Sequence, residues 1–272
     1  MKSTFTILFA LTLTTLLSAA EPAFLHNGVT AHRGNSGAHP ENTMPAFRSG
    51  VAVGADWIEL DIFQTKDGQL VVTHDKTTQR VGDKDLDVAN STFEELKTVD
   101  VATDFRKRHQ LTKKECPPQQ MPLLKEVLNM IKQQQKTRVS IQPKADCVRE
   151  TIALVRQLKM ESWVGFNDGN LNYMTQVKQL APEIPVFWDR GADTDLEADI
   201  NIAKQRGFEA LVLHFKGITL EKVQQIKAAS LEPGAWTVND PAVMKQLLKQ
   251  GIERIYTDEP SLLLRLKQSQ SD

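Results

Sequence analysis

Glu59 and Asp61 stand two residues apart in Trp57-Ile58-Glu59-Leu60-Asp61-Ile62, a run that is otherwise apolar. In a strand, side chains at i and i+2 share a face, so the two carboxylates lie side by side. Adjacent like charges on an apolar strand are costly unless a cation neutralises them. A hard divalent ion suits such oxygen donors, and carboxylate and amide oxygens accept calcium or magnesium alike. An edge strand with both carboxylates in water reads equally well from this stretch alone. The strand turns at Lys66-Asp67-Gly68 into a second strand that ends on His74-Asp75.

Other residues of chemical interest fall at the ends of short apolar runs. Val29-Thr30-Ala31 runs into His32-Arg33-Gly34, and 138–143 ends on Gln142-Pro143-Lys144. Asn167, Asp189, His214, Trp236 and Asp258 end the runs 163–167, 184–189, 210–215, 234–238 and 254–258. Helical stretches separate them: one opening at Asn42 or Thr43 with Ala46, Phe47, Val51 and Ala52 on its buried side, then 123–135, one from near Cys147, 171–180, 196–206, 220–229, 241–250 and one from Pro260. Eight strand–helix repeats in about 250 residues predict a closed (β/α)8 TIM barrel, an α/β fold whose sites lie at the carboxyl ends of its strands. The polar interval 66–121 reads as a small insertion between strand two and its helix, within one barrel domain over 21–272. No GxGxxG follows the first strand, which argues against a dinucleotide fold.

Composition narrows the partners. Lys and Arg number 33 against 34 Asp and Glu, with 40% hydrophobic and 25% charged residues. That balance leaves no basic footprint for nucleic acid and no strong field toward a membrane. Residues 1–20 read as a signal peptide: Lys2, an apolar run from Phe5 to Leu17, then Ser18-Ala19-Ala20, with cleavage after Ala20. The run is too short to span a bilayer comfortably, so an exported protein, periplasmic or secreted, without stable membrane insertion is expected. Cys116 and Cys147, the two cysteines of the chain, are either a disulfide or two buried thiols. Oligomeric state is not legible.

Taken together, His32-Arg33-Gly34, Pro40-Glu41-Asn42-Thr43, Glu59-x-Asp61, Thr65-x-Asp67-Gly68 and His74-Asp75 resemble the signature of the glycerophosphodiester phosphodiesterase family. Trp236-Thr237-Val238-Asn239 and Thr257-Asp258-Glu259-Pro260 resemble that family's last two strand motifs, so the likeness runs from Thr30 to Pro260. The resemblance implies metal-dependent hydrolysis of a small-molecule glycerophosphodiester to glycerol 3-phosphate and an alcohol. It implies His32 and His74 as general acid and base, Glu59 and Asp61 as metal ligands, and Arg33 and Lys144 as phosphate contacts. Trp236 stands at the mouth of the seventh strand, where it either packs against substrate or caps the core.

The departure from the family is at Gln142, where the usual pattern is Glu-x-Lys. The amide keeps an oxygen for the cation and removes one negative charge. Glu59, Asp61 and a divalent ion are then formally neutral, which predicts weaker metal binding and less repulsion of a phosphodiester. The physical requirements stand without the family: a cation with Arg33 and Lys144 offsets the phosphate charge, and two histidines with ordinary pKa near about 6.5 move the protons. His74 is read as the acid and His32 as the base. Two other functions fit the residues: a phospholipase D-type enzyme acting on lysolipids or sphingolipids, and a phosphodiester-binding protein in which Gln142 has ended turnover. Asp75 is read as a turn former, His26, His39 and His109 as surface residues, and 106–114 as a solvated loop. Glu41 either faces the site or complements a helix N-terminus, and His214 has the weaker claim to the site.

Overall fold

Closing a sheet on itself removes its unpaired edges, and the chain does this with strands of three to eight residues. The computed structural model describes residues 28–134 and 136–271, so the expected leader and His26 lie outside the described residues. In chain order the strands are β1 (Val29–Ala31), β2 (Trp57–Gln64), β3 (Leu70–Val72), β4 (Arg138–Pro143), β5 (Val164–Asp168), β6 (Val186–Arg190), β7 (Ala210–His214), β8 (Glu232–Trp236) and β9 (Arg254–Thr257). All but β3 pair in parallel around a ring, and β1 closes it by pairing with both β2 and β9. A helix follows each ring strand, so the expected (β/α)8 barrel is the fold.

Side-chain alternation sets what lies inside. On β2, Ile58, Leu60 and Ile62 pack into the large core under the helices, while Trp57 joins Phe187, Val212 and Tyr256 in a cluster inside the barrel. Glu59 and Asp61 share the parity of Trp57 and are 1% and 0% exposed. β2 lies between β1 and β4, so the edge-strand reading of these carboxylates fails. At the amino ends of the strands, buried Arg254 pairs with Glu232 at 2.9 Å and lies 3.8 Å from the Phe187 ring centroid. A polar and aromatic plug therefore fills that end and leaves the carboxyl end open.

Helix starts are set by side chains just past the strands. Thr43, Asn170, Asp195, Thr219 and Asp240 each accept a backbone N–H of the first turn. The first helix, Met44–Ala52, buries Ala46, Phe47 and Gly50. Ala52, expected on that face, is exposed, because the helix is rotated to bring Gly50 against β1 and β2. A Cβ on Gly50 would lie 3.0 Å from Ile58 Cγ2 and 3.3 Å from Ala31 Cβ.

The interval 66–121 does stand between β2 and its helix, Leu124–Lys132. It begins with β3, antiparallel to β2, and has its own core of Phe63, Val71, Val88, Leu96, Val99, Val101 and Met121. The stretch expected as a solvated loop is in part a helix, Thr103–His109. Its Arg106 is buried, ion-paired with Asp100, and donates to the Cys116 carbonyl at 3.2 Å. Burial of a charge is tolerable with such partners, which the run of basic residues does not reveal. Cys147 lies in the main core and Cys116 against Ala102 and Phe105 of the insertion, so both are free thiols and no disulfide joins them. Burial pushes the Cys147 thiol up to about 12. Among the described residues no helix is long and apolar enough to cross a membrane.

Candidate active site

The turn after β1 places the first residues of the site. Gly34 has φ +79°, and a Cβ there would lie 2.7 Å from the Ala46 backbone, so both the conformation and the space require glycine. Arg33 is also left-handed at φ +54°, a conformation that costs of order 1 kcal/mol or more without glycine. Two donors hold it there: the Arg33 N–H reaches Glu59 Oε2 at 2.8 Å and the Gly34 N–H reaches the Glu59 carbonyl at 3.2 Å. His32 is thereby turned over the barrel mouth. Its Nδ1 lies 2.7 Å from Asp258 Oδ1 at the end of β9, and Ser36 and Asn239 also donate to Asp258.

The second histidine arrives by the hairpin. The Thr73 N–H donates to the Asp61 carbonyl at 3.0 Å, which brings β3 back along β2 and sets His74 at the same mouth. His74 Nδ1 lies 2.7 Å from Asp75 Oδ1. Asp75 therefore holds the histidine beside it, a role the turn-former reading left out. Both imidazoles are fixed through Nδ1 by a carboxylate, which leaves each Nε2 for chemistry.

Between them lies a cavity of about 370 Å³ lined by His32, Arg33, Glu59, His74, Gln142, Lys144, Asn167, Asp189, Trp236 and Tyr256, among others. Seven of the eight residues proposed from the sequence thus share one wall. The eighth, Asp61, lies beneath it. Asn42 Nδ2 donates to Asp61 Oδ2 at 2.9 Å, Arg33 Nε is 3.4 Å from the same oxygen, and Lys144 Nζ is 3.3 Å from Oδ1. The tryptophan is braced by an Nε1–H bond to the Arg190 carbonyl at 3.2 Å. His214 does not line this cavity; it packs edge-on against Trp236 with centroids 5.1 Å apart.

An outer cleft of about 730 Å³ shares His32 and Arg33 with the first and extends over Glu41, Arg80, Arg108, His109, Asn239 and Asp258. Arg108 and His109 come from the insertion helix, so these two are not simply solvated. Glu41 faces the site: it accepts Arg33 Nη1 at 2.9 Å and both terminal nitrogens of Arg80. Arg80 Nε also reaches Asp75 Oδ2 at 2.5 Å. One insertion arginine thus ties the partner of Arg33 to the partner of His74. Arg80, Asn42, Asp258 and Asp189 are the residues that motif reading gave no part in the site; for Asp258 and Asp189 the place at a strand end was the available signal.

The electrostatics separate the two histidines. Burial alone would lower His32, but Asp258 and Glu59 outweigh it and the imidazole sits above its ordinary value. His74 sits below its ordinary value, chiefly through burial, with Arg33 and Lys144 opposing Asp61 and Asp75. Glu59 is raised by burial and then by the neighbouring Asp61 charge. Asp189 is pushed up to about 8 by burial. Asp258, despite its burial, is held at about 2 by His32, Ser36 and Asn239.

The oxygen donors suit a hard cation. Glu59 gives one oxygen to the Arg33 N–H and lines the cavity; Gln142 uses its Nε2 on Asp189 at 3.2 Å, which leaves its amide oxygen. Asp189 Oδ1 is buried with no hydrogen-bond partner. Among the described residues no three His, Cys, Asp or Glu side chains converge as a metal cluster, so a site here has to include the Gln142 amide.

The barrel thus gathers two carboxylate-held histidines, an arginine and a lysine around one cavity at the carboxyl ends of its strands. The family model described as the Glycerophosphoryl diester phosphodiesterase family matches residues 32–262, and the chain belongs to that family of phosphoric diester hydrolases. It is 30% identical over 248 residues, 88% of this chain and 96% of the relative, to a glycerophosphodiester phosphodiesterase of Caldanaerobacter subterraneus subsp. tengcongensis. A putative glycerophosphoryl diester phosphodiesterase of Silicibacter pomeroyi shares the fold with a TM-score of 0.81 at 22% identity, over 90% of this chain and 94% of that one. An Oleispira antarctica phosphodiesterase, solved with the product sn-glycerol-3-phosphate, superposes with a TM-score of 0.75 at 25% identity, over 89% and 96% of the two chains.

Proposed function

We propose that the chain hydrolyses glycerophosphodiesters to glycerol 3-phosphate and an alcohol with the help of one divalent cation, calcium or magnesium. The observation that carries this reading is the pair of histidines, each held through Nδ1 by its own aspartate, on the wall of one cavity with Arg33, Glu59 and Lys144. Glu59, Asp61 and Gln142 are the residues that would hold the cation, which supplies positive charge against the phosphate oxygens. Arg33 and Lys144 add fixed positive charge at the same anion, and Trp236 offers an apolar wall to the glycerol.

The protons follow from the environments of the two imidazoles. His32, kept charged by Asp258 and Glu59, donates from Nε2 to the departing alcohol oxygen as the P–O bond breaks. His74, kept neutral by burial, takes a proton from the attacking water as the new P–O bond forms. This order is the reverse of that read from the sequence, where no environment distinguished the two. The outer cleft beyond His32 has room for the leaving alcohol. Export with cleavage after Ala20 belongs to the same reading, and the mass of the mature N-terminus tests it.

The test is release of glycerol 3-phosphate from glycerophosphocholine and glycerophosphoethanolamine with EDTA, calcium or magnesium. Metal-dependent release that falls by roughly 10²–10⁴ in His32→Ala and in His74→Ala is expected. Activity that survives both substitutions, or EDTA, would overturn the mechanism. Faster turnover of a lysolipid would move the substrate toward the phospholipase D type. An inactive wild type that hydrolyses only as Gln142→Glu would make it a binding protein.

A further inference from the structure

The charged side chains of the outer cleft are, with one exception, used on near neighbours. Arg33 and Arg80 are taken up by Glu41, and Arg80 also by Asp75. Arg108 Nε lies 2.7 Å from Asp104 Oδ2, and Asp258 is engaged by His32, Ser36 and Asn239. The exception is Glu259. It is exposed in the cleft, and among the described residues its carboxylate has no hydrogen bond and no ion pair.

We propose that the outer cleft receives a leaving alcohol that carries a positive charge, a short amino or quaternary ammonium alcohol, with Glu259 as its counter-ion. The assignment rests on the hydrolytic reading above and names the diesters that this site prefers.

The carboxylate is held in place by the fold. The Glu259 N–H donates to Thr257 Oγ1 at 3.0 Å, and its carbonyl accepts the Leu262 and Leu263 N–H groups at 3.1 and 3.2 Å. The backbone is thereby fixed between β9 and the last helix, Pro260–Ser271, whose first turn is capped by that carbonyl and not by the side chain. The carboxylate lies instead over Gly37, in the loop after β1. A Cβ on Gly37 would stand 2.4 Å from Glu259 Oε1. Gly37, tied by its N–H to the Asp258 carbonyl at 2.9 Å, thus leaves the space that the carboxylate occupies.

The cleft is also where the alcohol has to go. His32 and Arg33 line both it and the reaction cavity, so an alcohol protonated by His32 Nε2 departs toward it. Asp258, which holds His32 at 2.7 Å, directly precedes Glu259 in the chain. The free carboxylate therefore neighbours the group that orients the proton donor.

Charge then selects the alcohol. Arg33 and Arg80 cancel Glu41 and Asp75, Arg108 cancels Asp104, and protonated His32 cancels Asp258. The balance of these groups is the negative charge of Glu259, which attracts an alkylammonium group and gives a neutral alcohol no comparable gain. A zwitterionic diester is met at both ends, its phosphate by Arg33 and Lys144 and its cation by Glu259.

The experiment compares kcat/KM for glycerophosphoethanolamine, glycerophosphocholine and glycerophosphoglycerol, whose second alcohol is neutral. Wild type, Glu259→Gln and Glu259→Lys are assayed with calcium or magnesium at low ionic strength, where exposed charges are least screened. Circular dichroism melts confirm folding. Wild type should prefer the cationic alcohols. Glu259→Gln should lower the ratio of their kcat/KM to that of glycerophosphoglycerol by about two- to fivefold, the range of an exposed ion pair, and Glu259→Lys should lower it further. A wild type that favours the neutral alcohol, or a ratio unmoved in folded Glu259→Lys, would overturn the assignment and leave hydrolysis standing. A wild type that hydrolyses none of these diesters would instead overturn the hydrolytic reading, and the assignment with it.

Discussion

Arg80 grips Glu41 with both of its terminal nitrogens, Nη2 at 2.6 Å from Oε1 and Nη1 at 2.8 Å from Oε2. The two lie 39 residues apart in sequence, one in the insertion and one just before the first barrel helix. Through Glu41 the arginine steadies Arg33, and through Asp75 it steadies His74.

Arg80→Ala is expected to lower kcat by roughly tenfold while the protein stays folded. Arg80→Lys should behave nearly the same, because an ammonium cannot reproduce a two-pronged grip on Glu41 together with the Asp75 contact. Loss of the cation beside Asp75 should also raise the His74 pKa, so the acid limb of the pH–rate profile moves to higher pH. Steady-state kinetics from pH 4 to 9 read both effects; a parallel drop at every pH would point to a structural role alone.

The opposite shifts of the two histidines set the pH dependence. His74 must be neutral to act as base, so the rate falls as pH drops through its lowered pKa. His32 must be charged to act as acid, so the rate falls as pH rises through its raised pKa. The profile should be a broad bell spanning the ordinary histidine value of about 6.5. Asp258→Asn removes the charge that holds His32 up and should bring the alkaline limb down by about one unit; an unmoved limb would assign it to another group.

Glu41 should contribute to stability in a pH-dependent way. Burial would raise its pKa, but Arg80 and then Arg33 hold it down at about 2. A carboxylate with a depressed folded-state pKa stabilises the fold above its unfolded value, and that contribution fades as pH falls through the folded one. Glu41→Gln is expected to cost roughly 2 kcal/mol at pH 7, with the gap shrinking between about pH 4.5 and 2. Urea unfolding at several pH values measures it.

Gly34→Ala should both destabilise the fold and impair catalysis. The added Cβ meets the Ala46 backbone at 2.7 Å in a left-handed conformation, a cost of about 2 kcal/mol or more. Any shift that relieves the clash pulls the Arg33 N–H from Glu59. A melting temperature lowered by several degrees, together with reduced kcat, is the expected pair of results.

Much of this protein is written locally in the chain. Strand and helix alternation requires only short-range patterning, so eight repeats led to the barrel, and the barrel rule led to His32, Glu59, Gln142, Lys144 and Trp236 at one end. The hairpin at Lys66-Asp67-Gly68 was legible because Asp-Gly is turn chemistry, and Gly68 does take the positive φ, 78°, that a glycine permits there. Tertiary structure decided what depends on partners distant in sequence. Asp258 is 226 residues from His32, and Arg80 belongs to an insertion whose burial of Arg106 against Asp100 is invisible in a run of basic residues. The order of the two histidines, the sharing of Asp61 between Arg33 and Lys144, and the open oxygen of Asp189 are likewise set by ring closure. The reason is physical: residue type and spacing fix which side of an element a group occupies, but its charge state depends on every group that folding brings within a few ångströms.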